Sequence, residues 1–289
     1  MANDKIVFFV DSSCDMPIGF AEREGIQVIG FRYTLNDKDG RYLGGKQEDF
    51  DDIYSQMRKG AVGRTSQISY DDAEAAFEPV FKDGADIMFI GLSRGLSGTY
   101  ENIKKAGTDL AKKCGRKFYA PDTKSVSGQS FLIIKKTLEF YKKHKKQKNC
   151  FEHVRSELDK VYKRFKVYFT VDNLTYLYRG GRLNAAQALI GGMLKIKPII
   201  TVDKEGKLVN FTKKTGRQNS IRYLAELTRD HDPDFEIVIA HADSLEDAKT
   251  LQQKIKEIHP EVNTEMVNIG FIIGVHAGPG SLGLGFVAK

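Results

Sequence analysis

Residues 93–100 (SRGLSGTY) combine hydroxyl side chains and glycines at a point where a strand should end and a helix should begin. The apolar run 86–92 precedes them, and residues 101–114 follow with apolar side chains at helical spacing. A helix N-terminus presents unpaired backbone N–H groups and a partial positive charge, so this segment is a candidate anion site. The alternative is a serine that only caps the helix.

Three other polar clusters stand against apolar backgrounds. Residues 64–67 (RTSQ) supply two hydroxyls, although Ser and Thr also cap helices, and a helix is expected from Tyr70. Residues 276–280 (HAGPG) join a histidine to a stretch poor in side chains, where backbone can approach a ligand closely. Residues 178–182 (YRGGR) place two arginines around a diglycine, which suits phosphate or carboxylate contact or a glycine C-cap. Residue chemistry alone favours the capping alternatives for 64–67 and 178–182, and it leaves the role of 276–280 open.

The motifs do not complete a catalytic constellation. Asp11, Ser97 and His276 could form a triad, but no G-x-S-x-G elbow surrounds Ser97. The sequence has no HExxH or Walker motif, and its three cysteines are too few and too far apart for a disulfide framework or a zinc site. A serine hydrolase that uses Ser97 as its nucleophile therefore remains a weaker alternative.

Length, hydrophobicity and charge limit the classes of protein to which the chain can belong. A chain of 289 residues with 41% hydrophobic residues suits a globular protein of one large or two ordinary domains. No apolar stretch approaches the roughly 20 residues of a membrane span, and the first residues lack a secretory core, so a cytoplasmic location is expected. The net charge is +7, with a lysine-rich run at 142–148 that is typical of a solvated helix end.

The basic charge leaves several kinds of partner to weigh. Nucleic-acid binding is disfavoured because no basic and aromatic module accompanies the charge. Transient contact with an acidic partner or an anionic membrane stays open. A regulatory binding module that docks its basic surface on an anionic target is a further alternative.

The elements that must position these clusters alternate between strand and helix in the first half. Strands are predicted at 6–10, 27–35, 86–92 and 117–120, and helices at 17–24, 50–58, 70–81, 101–114 and 128–141. Such alternation predicts a parallel sheet that is covered by helices. Because such sheets bind ligands beyond the carboxyl ends of their strands, the loops at 11–13 and 93–100 both fall at the expected position.

The second half mixes α/β elements with at least one hairpin. After a bridging helix at 151–165 we predict strand 166–171, helices 174–178 and 185–194, a hairpin of 196–202 and 208–213, helix 218–228, strand 236–240, helix 245–258, and strands from Val262 and Ile272. The fold class is therefore α/β. An N-terminal domain over 1–160 has a mostly parallel sheet, and a C-terminal α/β domain over 161–289 has a mixed or antiparallel sheet.

A series of motifs runs through nearly the whole chain. They are VDSSCD at 10–15, TSQ at 65–67, LSGTY at 96–100, DTKS at 122–125, NLTYLYRGGR at 173–182, IGGMLKIKP at 190–198 and HAGPG at 276–280. In this order they resemble the DegV family of two-domain bacterial proteins that bind a long-chain fatty acid. Two positions depart from the family pattern: Ile68 replaces a frequent proline, and Arg94 replaces a small polar residue beside the candidate anion site.

The resemblance implies a head-group site for the fatty acid. Thr65 and Ser97 would hold the carboxylate, and His276 would complete the site. Ser66, Gly98 and Thr99 would be secondary contacts. The acyl chain would lie in an apolar tunnel that the sequence does not trace.

The resemblance also implies a partner. The protein would be the non-catalytic, lipid-presenting subunit of a fatty acid kinase, and a separate ATP-binding subunit would convert the bound acid to an acyl phosphate for phospholipid synthesis. Arg179 and Arg182 would face that partner or its phosphate, with Lys213 and Arg217 as weaker candidates for the same face. No cofactor is implied, and the bound fatty acid is the expected ligand.

Overall fold

A computed structural model of the protein describes residues 5–183 and 196–289. The predicted helix 185–194 and part of the motif at 190–198 lie outside the described residues. The strands are β1 (Ile6–Asp11), β2 (Gln27–Ile29), β3 (Phe31–Leu35), β4 (Lys38–Tyr42), β5 (Gly63–Ser66), β6 (Asp86–Ile90), β7 (Phe118–Tyr119), β8 (Phe165–Thr170), β9 (Ile196–Val202), β10 (Leu208–Thr215), β11 (Ile237–His241), β12 (Thr264–Asn268) and β13 (Leu282–Val287).

Helices cover these strands. The α-helices are α1 (Phe20–Glu24), α2 (Gln47–Arg58), α3 (Tyr70–Lys82), α4 (Thr99–Cys114), α5 (Gly128–His144), α6 (Cys150–Val161), α7 (Thr175–Arg179), α8 (Arg217–Glu226), α9 (Leu245–Ile258) and α10 (Phe271–Ala277). Short 3₁₀ helices cover Tyr162–Arg164 and Leu227–Asp230. Among the described residues, no helix is both long and apolar enough to cross a membrane.

The two larger sheets confirm the predicted fold class. The first has the order β2-β1-β6-β7 with all strands parallel. The second has the order β10-β9-β8-β13-β11-β12, in which only the β11–β12 pair of the described strands is parallel. The β9–β10 hairpin around the turn at 203–206 forms as predicted.

A third, three-stranded antiparallel sheet with the order β4-β3-β5 is absent from the sequence prediction. The predicted single strand 27–35 is wrong because the chain breaks at Gly30 and changes sheets. Ile29 still pairs with β1, but the Phe31 N–H donates to the Ser12 hydroxyl at 2.9 Å. The chain then continues as β3, and the new sheet brings Thr65 on β5 opposite Tyr33.

The predicted strand from Ile272 is also wrong, because these residues lie in helix α10. A short apolar run with β-branched residues fits a buried helix as well as a strand, so periodicity does not separate the two. The strand of this region is β13, whose sequence LGLGFV is buried along its whole length. Its glycines obscure it in the sequence, since glycine disfavours strands.

The core extends across residue 160, where we predict the domain boundary. One cluster of buried side chains includes Phe9 of the first sheet, Phe131 of α5 and Val238 of β11. Helix α5 lies directly on the second sheet, since an added Cβ at Gly128 would come within 2.9 Å of a Val238 methyl group. The boundary itself stays a prediction.

Candidate functional site

Two of the polar clusters meet at one hydrogen bond. Thr65 Oγ1 of β5 and His276 Nε2 of α10 are 2.8 Å apart, although 211 positions separate them in the chain. Helix α10 packs against β5, and Thr65 points to this side of the strand because alternate residues of a strand face opposite ways. The third sheet therefore brings the hydroxyl to the histidine.

The imidazole of His276 is held neutral. Burial, together with a smaller repulsion from the Arg182 guanidinium, lowers its pKa to about 4. A neutral imidazole donates through one nitrogen and accepts through the other. Nδ1 is buried with no hydrogen-bond partner among the described residues. When Nε2 donates to Thr65, the threonine hydroxyl keeps its own proton for a ligand.

The RGGR cluster closes against the same histidine. An added Cβ at Gly180 would lie 2.2 Å from His276 Nδ1, so the backbone touches the ring at a point where only glycine fits. Half-buried Arg182 donates to the carbonyl oxygens of Gly180 and Leu96. The arginine thereby ties the loop after α7 to the loop before α4.

The loop 93–100 supplies the opposite side of the site. Helix α4 begins at Thr99, with Gly98 as its N-cap. The Ser97 hydroxyl donates to Thr99 Oγ1 at 2.9 Å and accepts from the Thr99 N–H at 3.2 Å, so Ser97 does contribute the local hydrogen bonding of a cap. An added Cβ at Gly98 would lie 2.1 Å from Gln67 Oε1, which places the TSQ motif against the start of the helix.

These groups line an interior cavity of about 270 Å³. Its polar side chains around the Thr65–His276 hydrogen bond are Thr65, Gln67, Ser97, Arg182 and His276. Much of the remaining wall is apolar, with Phe31, Val126, Phe169, Ile272 and Leu284 among its side chains. Mostly apolar walls with a few converging polar groups are typical of small-molecule sites.

A second cavity of about 450 Å³ adjoins the first at its polar end. The two cavities share Thr65, Arg182 and His276 as lining residues. Arg64 and Arg179, both exposed, also line the second cavity. The polar end of the interior cavity is therefore bordered by a cationic opening.

Four predicted site residues lie off the cavity wall. Ser66 is exposed on the opposite face of β5, and Thr99 is buried behind Ser97, where it accepts a hydrogen bond from the Ile68 N–H. Lys213 is exposed on β10. Arg217 donates to Asp247 and to the Gly280 carbonyl oxygen, each at 2.8 Å. It braces the loop after His276 and does not line either cavity of this site.

The residues of a hydrolase triad do not form a relay. The buried Asp11 carboxylate accepts from the N–H groups of Ser13 and Leu92. The Ser97 hydroxyl donates to Thr99, and the partner of His276 is Thr65. Among the described residues no hydrogen bond joins Asp11, Ser97 and His276, and a histidine with a pKa near 4 is a weak base at neutral pH.

Sequence analysis misses Gln67 as a site residue, and it misses Asp15 as a residue that positions α10. Gln67 belongs to the TSQ motif, so its signal is present but weaker than that of the hydroxyls. Asp15 accepts from the Gly270 N–H at 2.9 Å and from the Ser127 hydroxyl at 2.5 Å, and so holds the start of α10. Burial raises the pKa of Asp15 from 3.8 to about 7. Its part in positioning α10 leaves no signal in local sequence.

The fold and site define an α/β protein with an interior cavity. The wall of this cavity is mostly apolar, and a few polar side chains converge at one end of it. The chain belongs to the DegV family, since the model of that family, described as "Uncharacterised protein, DegV family", matches residues 5–289. A DegV domain-containing protein of Clostridium perfringens is 31% identical over 98% of this chain and 97% of its own length.

Two solved structures with the same fold come from proteins that are described with a fatty acid as ligand. Bacillus subtilis DegV, described as a fatty acid binding protein, is 27% identical with a TM-score of 0.83, over 99% of this chain and 100% of its own. A Streptococcus pneumoniae protein, described as Fatty Acid Kinase (Fak) B3 loaded with linoleic acid, has a TM-score of 0.84 at 19% identity, over the same shares of the two chains. At 19% identity, the similarity to the second structure supports the fold alone.

Proposed function

We propose that the protein binds a long-chain fatty acid, with the carboxylate at Thr65, Ser97 and His276 and the acyl chain in the interior cavity. The observation that carries this proposal is an apolar cavity that ends on the 2.8 Å contact between Thr65 and His276. The B. subtilis relative, described as a fatty acid binding protein, supports the same ligand class.

The energetics suit an amphipathic anion. Burial of each methylene contributes about 0.8 kcal/mol, so a long chain in the apolar part supplies most of the affinity. A buried carboxylate needs several donors and a compensating charge. The Thr65 hydroxyl supplies one donor, and the Ser97 hydroxyl supplies a second when its proton turns from Thr99 to the ligand. Because His276 is neutral, the positive charge comes from Arg182. The prediction from sequence gives Arg182 only a partner-facing role, whereas we now propose that it also serves the ligand.

We further propose that the protein presents its ligand to a separate ATP-binding kinase subunit in the cytoplasm and is not itself the catalyst. The second cavity borders the head group, so a carboxylate there is reachable by a phosphoryl donor. Exposed Arg179 and Arg64 offer positive charge at this opening to a partner or a transferred phosphate. Transient contact with an anionic membrane for lipid loading is compatible with the basic surface.

Extraction of bound lipid tests the binding proposal. Purified protein is denatured in organic solvent, and the released lipids are identified by mass spectrometry. We expect long-chain fatty acids in amounts close to one per chain, and a rise in melting temperature when delipidated protein receives oleic acid. Absence of fatty acid together with no stabilisation by any chain length would contradict the proposal.

Reconstitution tests the presentation step. The loaded protein, ATP and the kinase subunit are combined, and acyl phosphate is trapped with hydroxylamine as the hydroxamate. We expect product only when both proteins are present. Hydroxamate from this protein and ATP alone would contradict the non-catalytic role.

A further inference from the structure

One polar side chain on the cavity wall lies apart from the head-group site and has an unmet hydrogen bond. Gln129, in the first turn of α5, is only 3% exposed and lines the interior cavity. Its Oε1 atom is buried with no partner among the described residues. Buried polar atoms are nearly always paired, so an exception calls for an explanation.

The neighbouring hydroxyl groups on this wall, those of Ser127 and Ser281, do have hydrogen-bond partners. The Ser127 hydroxyl donates to Asp15, and the Ser281 hydroxyl bonds to the carbonyl oxygens of Ala277 and Gly278, both at 2.8 Å. The backbone beneath Gln129 is closely held, since an added Cβ at Gly285 would lie 3.1 Å from both Cα and Cβ of the glutamine. The Cα and Cβ atoms that carry the amide are therefore held in place against β13.

The position of Gln129 separates it from the carboxylate end. Gln129 and Val167 also line a third cavity, of about 820 Å³, which contains Tyr119 and Lys166. That cavity shares no lining residue with the cationic opening beside Thr65 and His276. The amide thus belongs to the part of the wall that the acyl chain, rather than its head group, would meet.

We propose that the Gln129 amide is a hydrogen-bonding subsite for a hydroxyl on the acyl chain, which makes long-chain hydroxy fatty acids a ligand class of this protein. This inference rests on the proposed function. A hydroxyl donates a hydrogen bond, so it can pair with the buried Oε1 of the amide. A plain alkyl chain leaves the buried carbonyl unpaired, and sites built to bond a hydroxyl discriminate against ligands that lack it.

The test is a positional series of ligands on delipidated protein. Octadecanoic acid and its monohydroxy derivatives, with the hydroxyl moved carbon by carbon along the chain, compete with a fluorescent fatty acid. We expect at least one hydroxyl position to bind about tenfold tighter than octadecanoic acid. The oxo acid with its carbonyl at that same carbon should lose this advantage, because it accepts but does not donate to Oε1.

The variant Gln129→Met provides the matched comparison, since it keeps the volume and removes the amide. It should bind octadecanoic acid at least as well as the wild type and lose the preference for the hydroxy acid. If octadecanoic acid binds and no hydroxyl position is preferred by the wild type, the hydroxyl subsite is wrong while the proposed function stands. If neither the plain nor the hydroxylated acids bind, the proposed function itself fails. The ligand series on the wild type decides the matter even if the variant folds poorly.

Discussion

The substitution Thr65→Val removes the hydroxyl that bonds His276 and keeps nearly the same side-chain volume. In the proposed complex this hydroxyl donates to a carboxylate, and such a bond is worth about 1.5–3 kcal/mol. The Kd for a fatty acid should therefore rise about 10- to 150-fold. The substitution also leaves His276 Nε2 without its partner at 2.8 Å, which favours the upper part of that range.

Displacement of a fluorescent fatty acid from delipidated protein measures this effect. Ser66→Ala is the matched control, because Ser66 neighbours Thr65 on β5 but is exposed on the opposite face. The control should keep the wild-type Kd within about a factor of two, as expected for a surface substitution. The double variant Thr65→Val with His276→Ala should lose less than the sum of the single losses, because the two groups share one network. A wild-type Kd in Thr65→Val would refute the assignment of the head-group site.

Three further predictions follow from the same geometry. Burial raises the pKa of Asp15 from 3.8 to about 7, so the unfolded chain loses this proton at lower pH than the folded protein does. Denaturant unfolding should therefore show the stability of the wild type falling relative to Asp15→Asn as pH rises from about 4 to 7, by up to about 1.4 kcal/mol per pH unit, and a pH-independent difference would contradict this. Gly180→Ala should displace the imidazole of His276, since the new Cβ would lie 2.2 Å from Nδ1, and weaken fatty-acid binding by at least about tenfold in the displacement assay; an unchanged Kd would show that the ring is not held there. Arg179→Ala should spare binding and lower hydroxamate formation with the kinase subunit, whereas Arg182→Ala should impair both, because Arg182 lines the cavity; the Arg179 result fails if turnover stays at the wild-type level.

Local sequence patterns predict part of the fold, and the family resemblance predicts part of the site. Strand–helix alternation gives the first sheet, and the turn at 203–206 gives the β9–β10 hairpin, because both depend on local patterns. The resemblance to the DegV family implies that Thr65 and His276 belong to one site, and the structure places them in hydrogen-bond contact.

Features that depend on tertiary contact are missed. The small sheet that positions Thr65 forms only because the chain leaves the first sheet at Gly30, and no local pattern marks that change. The run at 271–277 could be a strand or a helix, and α10 begins where Asp15, distant in sequence, accepts from the Gly270 N–H. The apolar cavity wall has no signal of its own, because side chains that face a cavity look like ordinary core residues in sequence.

A crystal structure of the delipidated protein reloaded with oleic acid tests the central claim most directly. The account predicts a carboxylate oxygen within hydrogen-bond distance of Thr65 Oγ1, close to Ser97 and His276, with the acyl chain along Phe31, Ile272 and Leu284. A fatty acid in the reverse orientation, or one bound outside this cavity, would contradict it.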